Sequence, residues 1–215
     1  LHVSICSKIS RVSGTKGMNV IAPTWFSMTD EYGAFRSFAT ADYVTTAHNM
    51  GLQVWGVLDN FNYANENGIS ISTLNMLSST TARQTLVQNV TDTAVSLGLD
   101  GINVDFEQLS SDCGPHYVEF LRELSIQCRN KGLVLSVDNY VPFNFNDYYR
   151  LDIQGQVADY VIIMGYDEHW HGSKDPGSVA SIGYVSDGLD RTLQEVPANK
   201  VVNALPFYTI LWKTE

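Results

Sequence analysis

The sequence predicts an α/β fold, a (β/α)8 barrel of the TIM type, from three observations. Short apolar runs rich in β-branched residues recur along the 215-residue chain, helix-like segments separate them, and most of the runs are apolar throughout. Strands that alternate with helices are typical of parallel strands joined by crossover helices. Strands that are apolar along their whole length are expected where both faces of a sheet are covered.

Strand-like runs, each followed by turn or polar residues, occur six times: residues 18–26, 52–59, 101–107, 133–141, 159–167 and 200–208. Residues 1–5 are a candidate for a seventh strand. A closed barrel has eight strands and typically about 250 residues. We therefore expect an incomplete barrel whose final strand is missing from this chain. Since no repeat, low-complexity tract or linker is visible, residues 1–215 are predicted to form a single domain.

Helical periodicity is clearest in two segments, residues 83–97 and 117–128, where apolar positions recur three and four residues apart. The second segment follows a Gly-Pro pair and precedes Asn130-Lys131-Gly132, a signal for a helix C-terminus. Weaker patterns predict three further helical segments, near residues 38–49, 146–154 and 178–195.

Composition and charge exclude several classes of partner. Hydrophobic residues make up 44% of the chain and charged residues 17%, which is typical of a globular protein. The formal net charge is −10, and no run of Lys and Arg supplies the basic stripe that nucleic-acid binding requires. An anionic membrane surface is disfavoured for the same reason, and no apolar stretch reaches the roughly 18–20 residues of a spanning helix. We expect neither partner.

The cysteines and histidines do not predict a metal or a disulfide. Cys6, Cys113 and Cys128 lack the spacing of metal sites. Cys113 and Cys128 flank one predicted helix and would lie roughly 22 Å apart at 1.5 Å per residue, too far for a disulfide. The run "DEHWH" (residues 167–171) has two His and two carboxylates but no remote ligand to match. We expect no metal and no cofactor.

The stretch "LGLDGINVDFEQL" (residues 97–109) is the strongest functional signal. In a strand, residues two apart share a face, so Asn103, Asp105 and Glu107 point one way and the apolar residues between them the other. In a barrel the apolar set would pack under the outer helices. The polar set would then point inward and climb toward the C-terminal rim, where such barrels hold their active sites.

Two carboxylates on one buried strand face repel each other, so one of them should hold its proton at neutral pH. A protonated carboxyl is what a general acid requires. The alternative is an edge strand with a solvated acidic face. Gly101 and the apolar flanks place the strand in mid-sheet instead, and we predict a catalytic face.

Four stretches resemble a known family. "DGINVDFE" (residues 100–107) resembles the DxxDxDxE signature of glycoside hydrolase family 18, the chitinase-like barrels. "PTWF" (23–26), "MGYD" (164–167) and "LPFYTILW" (205–212) are similar to its motifs at strands two, six and seven. The longer stretches "GMNVIAPTWF", "DGINVDFE" and "MGYDEHW" are similar to one branch of the family, the bacterial cell-wall enzymes related to spore cortex-lytic N-acetylglucosaminidases. The resemblance spans the chain and implies one catalytic domain, residues 1–215, truncated at its C-terminus.

The resemblance implies a glycosidase with substrate-assisted, retaining catalysis, an exception to the two-carboxylate scheme. Glu107 would be the general acid and then the base, and the substrate's own 2-acetamido carbonyl would be the nucleophile. Asp105 would accept a hydrogen bond from the acetamide N–H, and Tyr166 would donate one to the acetamide oxygen. Asp167 would contact sugar hydroxyls or position water.

Eight further residues are predicted to contact substrate, from the family's motifs or from their places at strand ends: Asn103, Trp25, Asp59, Asn139, Tyr140, Met164, Glu168 and Tyr208. For Asp59 and Asn139, capping or turn roles are an open alternative. The sequence departs from the family at Asn103, where the family has Asp, and at Ile210, where it has Arg. The Trp that the family carries on its eighth strand is also missing.

The implied substrate is a β-1,4-linked glycan that contains N-acetylglucosamine, namely peptidoglycan or spore cortex. Chitin or chitooligosaccharides are the alternative within enzymes, and an inactive, lectin-like carbohydrate-binding protein is the alternative outside them. The expected location is extracellular, or associated with the cell wall or spore of a bacterium. Because peptidoglycan and the chain are both acidic, we expect a wall-binding module elsewhere in the full-length protein.

Overall fold

The computed structural model describes residues 2–3, 9, 16–61 and 70–213. Eight strands lie within these residues: β1 (His2–Val3), β2 (Val20–Met28), β3 (Phe35–Ser37), β4 (Gln53–Asp59), β5 (Gly101–Asp105), β6 (Val134–Tyr140), β7 (Tyr160–Met164) and β8 (Val201–Ala204). Seven of them are parallel in the order β1-β2-β4-β5-β6-β7-β8, and β3 pairs antiparallel with β2. This is the sheet of a TIM-type α/β fold.

Every predicted strand is present, including the candidate at the N-terminus, although β5, β7 and β8 end earlier than their apolar runs. The three-residue strand β3 is too short for an alternating pattern and was not predicted. Within the described residues no ladder joins β1 to β8. The absence of a final barrel strand from this chain stays a prediction.

Helices lie between the parallel strands: α1 (Ala41–Asn49), α2 (Thr73–Ser78), α3 (Thr80–Leu97), α4 (Gly114–Lys131), α5 (Leu151–Val157) and α6 (Ile182–Thr192). The two segments with clear periodicity are α3 and α4. Both end, as predicted for α4, at a glycine with a left-handed backbone, Gly98 at φ 76° and Gly132 at φ 70°. The short helix α2 was not predicted; Ser72 and Ser79 begin α2 and α3 by accepting backbone N–H groups.

The main hydrophobic core lies between the sheet and α3 and α4. Ile102 and Val104 of β5 are fully buried in it, and Phe106 stacks on Phe120 of α4 with ring centroids 5.4 Å apart. The apolar set of this strand therefore faces the helices, as predicted. Because side chains alternate along a strand, Asn103 and Asp105 face the opposite, inner side of the sheet.

Asp100, the first residue of the acidic signature, serves the opposite end of β5. Its Oδ2 accepts hydrogen bonds from Val54 N at 2.7 Å and interacts with His48 Nε2 at 2.8 Å. These contacts tie the start of the strand to β4 and α1, which is a structural role. Cys113 and Cys128 are free and buried, as predicted, and Cys6 lies outside the described residues.

Candidate active site

The inner face of the sheet carries a hydrogen-bonded polar cluster across β5 and β6. Asn103 is 1% exposed, and its Nδ2 donates to Ser136 Oγ at 2.9 Å and to Asp138 Oδ1 at 3.0 Å. Asn103 and Ser136 are partners in the register of the two strands, which brings the side chains together. The cluster is built by pairing between strands rather than by neighbours in the sequence.

Asp105 ends β5 on the same face and is almost completely buried. It is the register partner of Asp59 on β4, and its Oδ1 has no hydrogen-bond partner among the described residues. Burial, followed by the charges of Asp138, Glu107 and Asp59, raises the pKa of Asp105 to about 8. Burial is also the main cause that raises the pKa of Asp138, to about 7. Both carboxyls therefore keep their protons to a higher pH than an ordinary aspartic acid does.

Glu107 lies two residues beyond the end of β5 and is held through its backbone. Glu107 N donates to Asn60 Oδ1 at 2.9 Å, and Asn60 Nδ2 donates to Glu107 O at 2.9 Å. The Glu107 carboxylate accepts a hydrogen bond from Tyr140 OH at 2.6 Å. Burial raises the pKa of Glu107, against the lowering effect of the Tyr140 hydrogen bond, and the charge of Asp167 raises it further.

The turn that carries Glu107 is fixed by tyrosines from β6 and the segment after it. Gln108 has a left-handed backbone, at φ 54°, and its N–H donates to Tyr140 OH. Tyr148 OH donates to Leu109 O at 2.7 Å, and Tyr149 OH accepts from Leu109 N at 3.3 Å. A left-handed backbone at a residue other than glycine costs free energy, and it persists only where the surrounding structure holds it in place. These hydroxyls supply that support.

The segment after β7 brings a second group of predicted residues to the same end of the sheet. Tyr166 is partly buried, and its ring lies edge-on to Tyr208 with centroids 6.2 Å apart. Tyr208 OH donates a hydrogen bond to Asp167, which is exposed and has a left-handed backbone at φ 60°. Burial is the first cause that raises the pKa of Tyr166, and the charges of Asp138, Asp105 and Glu107 follow.

A cavity of about 1100 Å³ runs along the inner face of the sheet. Among its lining residues are Asn103, Asp138, Met164, Tyr166 and Tyr208. This volume is at the upper end of what small-molecule sites occupy, and several sugar rings fit in it. The acidic cluster thus faces a space that is large enough for an oligosaccharide.

Trp25 does not reach this cavity, and its predicted contact with substrate is contradicted. The pairing of β2 with β4 shifts register between Thr24 and Phe26, and both Trp25 and Phe26 pack into the core. Trp25 is 2% exposed and meets Tyr43 of α1 edge-on, with ring centroids 5.0 Å apart. An enclosed indole offers no ring face to a sugar.

The predicted substrate contact of Asn139 is also contradicted, whereas that of Glu168 stays a prediction. Asn139 points to the helix side, where its amide exchanges two hydrogen bonds with Gln154, at 2.7 and 2.9 Å. Glu168 uses both carboxylate oxygens on Ser181, the residue that begins α6. Asp59 lies beside Asp105, but it accepts from Ser27 Oγ and from Phe61 N, so it also shapes its own turn.

Asp138 was not predicted as a residue of the site, and the contact of Asn60 with the backbone of Glu107 was not predicted either. Asp138 lines the cavity, and its signal was the alternation of Ser136, Asp138 and Tyr140, the same two-residue period that singled out β5. Asn60 holds the backbone of Glu107, 47 residues away in the sequence. No local pattern indicates the role of Asn60, because it depends on β4 and β5 being neighbours.

Within the described parts of the chain, no group of three or more His, Cys, Asp and Glu side chains is arranged to hold a metal ion. In the "DEHWH" run, His169 Nδ1 contacts Ser178 O at 3.0 Å, and Trp170 meets His171 edge-on. A search of the same residues for a helix long and apolar enough to span a bilayer finds none.

A TIM-type sheet with carboxyl side chains at the C-terminal ends of its central strands is the architecture of a barrel enzyme. Residues 62–215 match the model of the glycosyl hydrolases family 18, which is more than half of the chain. The chain therefore belongs to glycosyl hydrolases family 18.

Relatives and solved structures support this assignment. The chain is 33% identical over 144 residues to YdhD of Bacillus subtilis (strain 168), whose name contains the words sporulation-specific glycosylase; the match covers 64% of this chain and 33% of that protein. A chitinase from Chromobacterium violaceum superposes with a TM-score of 0.79 at 26% identity, over 95% of this chain and 67% of that one. The spore cortex-lytic enzyme SleL of Bacillus cereus superposes with a TM-score of 0.78 at 25% identity, over 94% of this chain and 48% of that one.

The chain spans between 33% and 58% of the length of the first three curated relatives that it matches.

Proposed function

We propose that this protein is a retaining glycosidase that cleaves β-1,4 bonds of N-acetylglucosamine-containing cell-wall glycan by substrate-assisted catalysis. The observation that carries the proposal is the pairing of two carboxyls with raised pKa values, Glu107 at the rim and Asp105 below it, beside Tyr166. The same inner face of the sheet opens on a cavity of oligosaccharide size, which is lined by Asn103, Asp138 and Tyr166. Each of the following steps uses one of them.

Glu107 is the proposed general acid. Its raised pKa keeps more of the carboxyl protonated near neutral pH, and the protonated form can donate to the glycosidic oxygen as the bond breaks. Its backbone is held at both N–H and C=O by Asn60, so the carboxyl is presented at a defined place. After the aglycone leaves, the same group, now a carboxylate, takes a proton from the incoming water.

Asp105 and Tyr166 are the proposed partners of the acetamido group. Attack by the acetamide oxygen on the anomeric carbon leaves positive charge on the acetamide nitrogen. Asp105, buried beside it and able to ionise, accepts the N–H hydrogen bond and stabilises that charge. The raised pKa of Tyr166 keeps its hydroxyl protonated and able to donate to the acetamide oxygen. Asp167, held by Tyr208, completes the proposed set with a contact to sugar hydroxyls or water.

Four residues of the proposed substrate-binding set fit this placement. Asn103, Met164 and Tyr208 line the cavity, and Tyr140 holds the acid from the side. The burial of Trp25 removes one aromatic platform that sugar binding could use. Sugar stacking in this site therefore falls to the exposed aromatic side chains at the rim, of which Tyr208 is 46% exposed.

Peptidoglycan or spore cortex is the preferred substrate because relatives carry the words spore cortex-lytic and sporulation-specific in their names. The same relationship favours a location at the spore or cell wall of a bacterium, and a wall-binding module in the full-length protein remains part of the proposal. Chitin is the second candidate, favoured by the similarity to the Chromobacterium violaceum chitinase.

Digestion of purified peptidoglycan, spore cortex and chitin oligomers, with the new reducing ends read by mass spectrometry, tests the proposal. We expect new N-acetylglucosamine reducing ends from peptidoglycan or cortex, and none with Glu107→Gln. Cleavage of chitin oligomers alone would select the second candidate. Sugar binding without cleavage of any of them would show a lectin-like protein instead.

Retention is tested separately by following the product anomer by NMR during the first minutes of digestion. A β-anomer released first, before mutarotation, is the expected result. An α-anomer would contradict the substrate-assisted route.

A further inference from the structure

Asp138 is a buried carboxyl that the proposed mechanism leaves without a role. It is 8% exposed, lines the cavity and lies on β6 between Ser136 and Tyr140, which share its face. A buried carboxyl is costly unless it is hydrogen-bonded or protonated. Asp138 Oδ1 accepts one hydrogen bond, from Asn103 Nδ2 at 3.0 Å.

The Asn103 side chain has a defined orientation, because its amino group donates to Ser136 Oγ and to Asp138 Oδ1, and Asp138 can accept at this oxygen with or without a proton on its other oxygen. Its amino group therefore faces Asp138 and Ser136, and its carbonyl oxygen faces away from them. That oxygen is buried and has no donor among the described residues, and the same is true of Asp105 Oδ1. Asn103 and Asp105 are two residues apart on one strand face. Both oxygens can only accept while Asp105 is ionised, and a proton on Asp105 would make its carboxyl a hydrogen-bond donor.

The groups that face this pair are acidic. Asp138, Glu107 and Asp59 raise the pKa of Asp105 from three neighbouring places, β6, the turn after β5 and β4. Glu107 raises the pKa of Asp138, and Asn103 lowers it through its hydrogen bond. Tyr166, from the segment after β7, faces the same carboxyls. The charge of Asp138 raises the pKa of Asp105, so ionising both buried carboxyls at neutral pH has a cost that a proton kept on one of them avoids.

We propose that Asp138 is a positioning residue of this site, which shares one proton with Asp105 and orients the Asn103 amide next to it. The inference rests on the proposed role of Asp105. Before substrate binds, the shared proton resides on either carboxyl. Once the acetamide N–H donates to Asp105, Asp105 is held as the carboxylate and the proton stays on Asp138. The pair carries one proton and one negative charge throughout, so no proton enters or leaves it.

The test is an NMR titration of side-chain carboxyls, with 13C-labelled Asp in the whole chain and assignment by Asp105→Asn. In the wild type we expect Asp105 and Asp138 to titrate as a coupled pair in two steps, one below and one above the pH range in which the pair holds one proton. In Asp138→Asn, which keeps size and a hydrogen-bond acceptor for Asn103, Asp105 should titrate in one step, with the upper step gone. The matched control, Ser136→Ala, removes the other acceptor of Asn103 without removing a charge and should keep both steps.

Kinetics on N-acetylglucosamine oligomers give the second readout. We expect the pH profile of kcat to lose one ionisation in Asp138→Asn, because the amide cannot exchange the shared proton with Asp105. An Asp105 titration that is the same in the wild type and in Asp138→Asn would overturn the proposal, whatever the kinetics. Asp138→Ser replaces the first variant if that one does not fold.

The titration needs no substrate, so the two proposals fail separately. A wild-type chain that cleaves no glycan but shows the shared titration refutes the proposed function and keeps the proton sharing. A chain that cleaves glycan with independent Asp105 and Asp138 titrations refutes the role of Asp138 alone.

Discussion

The Tyr140 hydroxyl donates a hydrogen bond of 2.6 Å to the Glu107 carboxylate, and the same hydroxyl accepts a hydrogen bond from the backbone N–H of Gln108. The tyrosine thus holds both the acid and the turn that carries it. Tyr140 and burial also shift the pKa of Glu107 in opposite directions: the hydrogen bond to the carboxylate form lowers this pKa, and burial raises it. The working pH range of the site should therefore depend on Tyr140.

Tyr140→Phe removes this hydrogen bond, so the pKa of Glu107 should rise. Since the protonated acid is the active form, the alkaline limb of the kcat/KM profile should move to higher pH, by about one unit for a hydrogen bond to a charged group. The control is Tyr148→Phe, which loses a contact to the same turn, at Leu109 O, but none to the carboxyl. A shift of the limb in both variants, or in neither, would contradict the role of Tyr140.

Glu107→Gln should lower turnover by about 10²–10⁴-fold, the range that general acid catalysis contributes. The amide keeps the shape of the side chain but cannot deliver a proton. Affinity for N-acetylglucosamine oligomers, measured by calorimetry, should change little. If binding is lost together with activity, Glu107 holds the sugar rather than the proton.

Asn60→Ala should reduce kcat by about 10–100-fold, because a displacement of about 1 Å in a reacting group has effects of that size. The variant frees both backbone groups of Glu107, and KM should change less than kcat. Thr73→Ala is the control, since Thr73 Oγ1 contacts Asn60 Nδ2 but not Glu107. Equal losses in the two variants would mean that Asn60 acts through the stability of its loop.

Stability should fall as the pH rises from about 5 to 8. Asp105 and Asp138 have folded-state pKa values of about 8 and about 7, above the ordinary value of 3.8. The folded chain therefore binds more protons than the unfolded chain in this window, and the stability present at acidic pH is lost as the pH passes through the folded pKa values.

Thermal melts of the wild type and Asp138→Asn at pH 5, 7 and 8 measure this effect. The variant should melt higher than the wild type at pH 8, by about 2–4 °C for each kcal/mol recovered, and the difference should shrink at pH 5. Asp112→Asn, at an exposed position, should follow the wild type. A wild type whose melting temperature rises from pH 5 to pH 8 relative to Asp138→Asn would refute the buried pair.

The local sequence pattern predicted much of the fold, because strands and helices depend on the spacing of apolar residues and on local composition. The alternation in β5 separated Ile102 and Val104, which pack under the helices, from Asn103 and Asp105, which face the inner side of the sheet, where Asn103 lines the cavity. The same pattern was present in β6 but was read out of phase. Asn139 was assigned to the site, whereas its neighbour Asp138 faces the cavity and Asn139 faces Gln154.

By itself the sequence determined the strand–helix alternation, the central acidic strand and the family, because each of these is encoded by residues that are close along the chain. The tertiary structure alone decided which polar groups meet. Asn60 reaches Glu107 across 47 residues, and Asn103 reaches Asp138 across 35. It also decided that Trp25 is buried, through a register shift in β2. Strand pairing and register set these contacts, and they follow from packing the whole chain.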